Sequence, residues 1–111
     1  MENLDKKVSF SEQEIAELEN NYGTLTIVEL TKQSNGEKML FCFKDISRQI
    51  IKAANAKVSQ TKNGSDFIDV ILDSTLVNGK EFLSNGKVYL ALQSKIEAVV
   101  NGYDAEVVKK N

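Results

Sequence analysis

The chain has 111 residues, 14 basic against 16 acidic side chains, a net charge of −2 and 41% apolar content. That is the size and balance of one globular domain, and it excludes wholesale disorder. With no histidine and one cysteine, Cys42, the chain is denied Ser/His and Cys/His catalysis, histidine-held metals, cysteine-cluster zinc and an internal disulfide.

The basic residues are thirteen lysines and one arginine, Arg48. Arginine supplies the bidentate contacts to guanine and phosphate that lysine cannot, so a mildly acidic, nearly arginine-free chain is expected to have no nucleic-acid partner. Met1 to Phe10 lacks the apolar core of a secretory signal, and no apolar run reaches membrane-spanning length. A reducing cytoplasm and no membrane contact are expected.

Five of the six glycines follow an asparagine, at 35–36, 63–64, 78–79, 85–86 and 101–102. Both residues tolerate positive φ, so these pairs mark turns and helix ends and cut the chain into short elements. The first is a helix over Ser11–Tyr22. Ser11 and Glu14 form a capping box, Phe10 and Ile15 suit a hydrophobic staple, and Gly23 supplies the C-terminal cap. Its outer face carries Glu12, Glu14, Glu17 and Glu19 and reads as a solvated face.

A β-hairpin follows, from Leu25–Lys32 and Glu37–Lys44. With Asn35-Gly36 as a two-residue type I′ turn, Val28 falls opposite Phe43, Leu30 opposite Phe41 and Lys32 opposite Met39. An isolated hairpin is barely stable in water, so its apolar face must cover other elements.

The rest reads as helical. Asp45 is placed to cap a helix running to Ser59, and Ser65 to cap a third helix running to Leu76. The third helix is apolar over most of its girth, which puts it at the centre of the domain or against a partner. Asn78–Asn85 is a loop. A fourth helix runs from Gly86 or Lys87 to Val100 and resumes over Tyr103–Lys110. The expected architecture is α+β: an N-terminal helix, a β-hairpin, then three to four packed helices. Residues 1–10 form a flexible arm and 11–111 a single domain.

Few constellations carry chemistry. Asp66, Asp69 and Asp73 share one helical face, but no further ligands accompany them, and the strip reads as solvated. Gly79-Lys80 and Gly86-Lys87 lack the upstream glycine and the following hydroxyl of a phosphate loop. No catalytic residue, metal or cofactor is expected, and Cys42 reads as a structural thiol. Tyr89, Leu92, Ile96, Val99 and Tyr103 recur at a 3-4-3-4 spacing. That seam serves either the domain core or contact with a copy or a partner helix. The residues singled out for partner binding are Phe67, Ile71, Tyr89, Leu92 and Ile96.

Four stretches in order carry a resemblance. They are Ile15–Tyr22 with Gly23, then Phe41-Cys42-Phe43-Lys44-Asp45, then Phe67 through Gly79, and finally Val88–Lys110. Over about residues 11–110 this order resembles small tail-assembly-chaperone-like proteins of tailed bacteriophages and prophages, particularly those of Bacteroides-type hosts. The resemblance implies a non-enzymatic binding protein acting in the host bacterial cytoplasm during virion assembly. It implies phage tape-measure and tail-tube proteins as partners, with a homo-oligomer open. The alternative within the same setting is a small structural protein retained in the virion, as a neck or tail-completion subunit.

Overall fold

The computed structural model describes residues 7–103 and 105–109, except for the side chain of residue 98. The elements are α1 (Glu12–Tyr22), β1 (Leu25–Thr31), β2 (Lys38–Lys44), α2 (Arg48–Thr61), α3 (Ser65–Thr75), a 3-10 turn (Lys80–Ser84), α4 (Gly86–Gln93) and α5 (Ile96–Val100). The expected α+β order of helix, hairpin and packed helices is therefore present. No helix among the described residues is long and apolar enough to cross a membrane.

Helix α1 begins on the capping box read from the sequence. Ser11 Oγ accepts from the Glu14 amide at 3.2 Å, and Glu14 Oε1 accepts from the Ser11 amide at 3.0 Å. Lys7 forms an ion pair with Glu14. That pair and the Ser11 amide hold the Glu14 carboxyl below its usual value.

The two strands are antiparallel, but the register differs from the expected one by two residues. Val28 faces Phe41, Leu30 faces Met39 and Thr26 faces Phe43. The cause is the turn. The Lys32 amide donates to Glu37 O and the Gly36 amide to Lys32 O, both at 2.7 Å, so the loop has four residues, Gln33 to Gly36. Gly36 takes φ 75, and Asn35 Oδ1 accepts from the Glu37 amide. Side chains alternate with period two, so a two-residue shift leaves each one on its expected face.

Both faces of β2 are covered, and Phe41, Cys42 and Phe43 are all buried. Phe41 and Phe43 pack with Leu72, Leu76, Leu92 and Val99 in the main core. On the other face Cys42 meets Leu18 of α1 and Val77, with Phe10 and Leu25 at the margin. The acidic helix thus does more than offer a solvated face: Leu18 seals the back of the hairpin.

The outer edge of β2 is closed by a segment that is not a strand. The Leu40 amide donates to Val8 O at 2.7 Å, and the Val77 amide donates to Cys42 O at 2.9 Å. Between them lies Asn78, fully buried. Its Oδ1 accepts from the Cys42 amide at 2.7 Å, and its Nδ2 donates to Lys7 O at 2.7 Å and Leu40 O at 2.9 Å. A side-chain amide carries one acceptor and two donors in the geometry of a peptide, so Asn78 completes the ladder as a strand residue would. The next residue, Gly79, takes φ 68, and a Cβ there would lie 2.8 Å from the Phe41 ring. Residues 7–10 of the expected arm are therefore tied to the fold; residues 1–6 lie outside the described residues.

The helix starts correct two expectations. Ser47, not Asp45, caps α2, its Oγ accepting from the Ile50 amide at 3.3 Å. Ser65 lies inside α3, after Gly64 at the cap position. There Asn63 Oδ1 accepts from both the amide and the hydroxyl of Ser65. The fourth helix is split. Asn85 Oδ1 accepts from the Lys87 and Val88 amides at its start. It stops at Gln93, where the Lys95 amide donates to Leu92 O and Ser94 Oγ to Ala91 O. After α5, Tyr103 and residues 105–109 are not helical, contrary to the expected resumption, and Tyr103 is 97% exposed. Residues 104 and 110 of that expected segment lie outside the described residues.

Candidate functional site

Of the five residues singled out for partner binding, Ile71 and Leu92 are fully buried. Tyr89 and Ile96 are half-buried against the main core, and Phe67 is half-buried on α3. The 3-4-3-4 seam therefore lies in the main core through Val99, and its last member, Tyr103, lies outside it. In the isolated chain no docking face includes Ile71 or Leu92. Ile71 sits on the arc of α3 that carries the fully buried Leu72 and Thr75, and Leu92 packs among the residues of the main core.

What remains accessible lies on the neighbouring arc of α3. An open groove of about 390 Å³ runs along the boundary of α3 with the 3-10 turn and α4. It is lined by Asp69, Val70, Asp73 and Ser74 from α3, Leu83 from the 3-10 turn and Tyr89 from α4, above the buried Leu72. Asp69 and Asp73 are exposed and at helical spacing fall between Leu72 and Val70, so carboxylates and apolar side chains alternate across the groove.

The Tyr89 hydroxyl donates to Asp69 and ties α4 to α3. This hydrogen bond, then partial burial and the charges of Asp69 and Asp66, raise the Tyr89 pKa above its usual value. Among the described residues no cluster of three or more histidine, cysteine, aspartate or glutamate side chains is placed to hold a metal. A second open cleft of about 300 Å³ is lined by Tyr22, Leu76 and Val77 together with Lys44, Ser74, Lys80 and Glu81.

The groove is lined by α3, α4 and Tyr89, which the sequence singles out, and by Val70 and Leu83, which were not among the residues singled out for partner binding. The available signal was the girth of α3: Val70 lies off the arc of Ile68, Ile71, Leu72 and Thr75, so one buried stripe cannot absorb all its apolar residues.

Cys42 is held inside the hairpin. Burial first, then the Glu19 charge, pushes its thiol up from 9.0 to about 11. The folded value exceeds the unfolded one, so this contribution to stability is fully present below pH 9 and is lost as pH rises towards 11. The loss is expected to reach on the order of 2 kcal/mol. Denaturation measured from neutral to alkaline pH checks it: Cys42→Ala should flatten the alkaline limb, leaving the slope of the same sign that comes from the raised Tyr89 hydroxyl. Below that limb the thiol should react with alkylating reagents only as fast as the domain opens.

Compared with protein-family models, with curated proteins and with solved structures, the chain matches none of them.

Proposed function

We propose that this chain is a non-enzymatic binding protein that receives an amphipathic helix of a client, in the manner of a phage tail-assembly chaperone. The observation that carries the reading is the open groove between α3 and α4, where Val70, Leu83 and Tyr89 lie beside the exposed Asp69 and Asp73. Apolar side chains in an open groove complement a helix's apolar stripe, and the carboxylates among them suit lysines beside that stripe. Apolar side chains of a long helical protein awaiting assembly would be sheltered there. The open shape and the exposed carboxylates favour modest affinity and ready release. The likeness of chain order to tail-assembly-chaperone-like proteins supplies the setting, with tape-measure protein as client and tail-tube subunits as later partners.

The test is titration of a fluorescent amphipathic helical peptide, lysines beside an apolar stripe, drawn from a tape-measure protein. Val70→Lys and Asp73→Lys should each raise Kd about tenfold or more, and added salt should weaken binding to the parent chain. Val70 and Asp73 lie outside the buried clusters, so both variants should melt near the parent. Failure to bind, or binding that neither substitution disturbs, would remove the groove from the reading. Recovery of the chain from purified virions in fixed stoichiometry would favour the structural-subunit alternative.

A further inference from the structure

The hairpin's two outer edges are treated differently. That of β2 is closed by Val8, Val77 and Asn78. In β1 the residues bonded to β2 alternate with those that point away. Lys32 bonds Glu37 and the register runs unbroken, so Thr26, Val28 and Leu30 face β2, and Leu25, Ile27, Glu29 and Thr31 turn their amides and carbonyls outward. Among the described residues none of these four outward amides has a hydrogen-bond partner. Of the usual protections of an edge the strand carries one charge, Glu29, and no proline, lysine or bulge, and it is rich in β-branched residues. Ile27, on the face away from the main core, is 40% exposed.

The geometry points to a second copy of this chain as the occupant, β1 pairing antiparallel with its counterpart across a two-fold axis at Val28. The charges select this register. Glu29 is the only charged residue of β1. Centring on Glu29 would set the two carboxylates face to face, and centring on Ile27 would carry Thr31 past the start of the partner strand. Centring on Val28 pairs all seven residues, sets Glu29 across from the partner's Ile27 and Leu25 across from the partner's Thr31, and leaves each Glu29 with its own Lys38 at 3.7 Å. The product is a continuous four-stranded sheet that covers both Ile27 side chains. This surface is distinct from the groove between α3 and α4, so either proposal can fail without the other.

Sedimentation across a concentration series, with residue-resolved amide exchange, tests the pairing. With rising concentration the chain should become a dimer, and the Ile27 and Glu29 amides should slow by about tenfold or more. The Val28 and Leu30 amides, already bonded to β2, should be protected throughout. Ile27→Pro removes an outward amide without touching a bond to β2, and should give a monomer with unchanged circular dichroism. If that variant does not fold, exchange in the parent chain decides alone. A monomer at every concentration overturns the pairing, whether the four outward amides exchange freely or are covered from within the chain. So does a dimer in which those amides stay unprotected.

Discussion

Asn78→Ala is expected to cost about 3–6 kcal/mol, the sum of several buried polar groups losing their partners at about 1–3 kcal/mol each. The Cys42 amide would point into a void, and the carbonyls of Lys7 and Leu40 would each lose a donor. Small domains hold about 5–15 kcal/mol in total, so the variant should be close to unfolded at room temperature. Chemical denaturation is the measurement. Asn78→Asp discriminates cause: it keeps an acceptor for Cys42 but cannot donate to Lys7 and Leu40, and it brings a charge into a buried site. It should do no better than alanine. A loss under 1 kcal/mol for Asn78→Ala would mean that the edge of β2 closes without this side chain.

Phe41→Ala comes next, at about 3–5 kcal/mol, or some 15–30 °C in Tm at roughly 4–8 °C per kcal/mol. The ring is fully buried and makes an edge-to-face contact with Phe82, with centroids 6.2 Å apart and planes at 83°. It also lies against Gly79, where a Cβ would come within 2.8 Å of Cε1. Removing it detaches β2 from the 3-10 turn and from the Asn78–Gly79 corner together. Neighbours so tightly placed have little room to collapse into the cavity, which puts the expected loss in the upper part of that range.

These two residues mark the boundary of what could be read beforehand. Phe41 was legible, because alternation along Lys38–Lys44 put it on an apolar face whatever the turn. The register was not. Asn35-Gly36 is the commonest signal for a two-residue turn, and a four-residue loop ending on Gly36 uses the same pair. The role of Asn78 was hidden for a different reason: its partners are 36, 38 and 71 positions away, and local pattern carries no trace of them. Capping shows the same limit on a smaller scale, since Asp45 and Ser47 are both good caps and only the path of the chain out of β2 chooses Ser47. For the groove, the apolar excess of α3 was visible, but which arc stayed outside depended on where Leu83 of the 3-10 turn and Tyr89 of α4 come to lie beside it, and local pattern does not show that.

The Asn-Gly pairs also set how the protein ages. An asparagine followed by glycine is the dipeptide most prone to lose its side-chain amide, because the glycine nitrogen meets little steric hindrance in attacking it, and asparagine is among the thermolabile residues. Asn35, Asn63 and Asn85 act in their turns through Oδ1 alone, as acceptors. An aspartate carboxylate fills that role equally well, and at Asn85 it would favour the helix N-terminus. At those exposed sites the glycine nitrogen closes a five-membered imide and expels ammonia, and water opens the ring to aspartate or isoaspartate; the chain becomes more acidic, and the aspartate product keeps each turn's acceptor. Asn78 is the pair where both nitrogen and oxygen are needed, and it is buried and held by three hydrogen bonds. The exposed Asn101 would lose only its Nδ2 bond to Glu97, at 3.4 Å, whereas the amide with three buried partners is the one the fold shields from water, so old preparations should drift in charge before they lose the edge of β2.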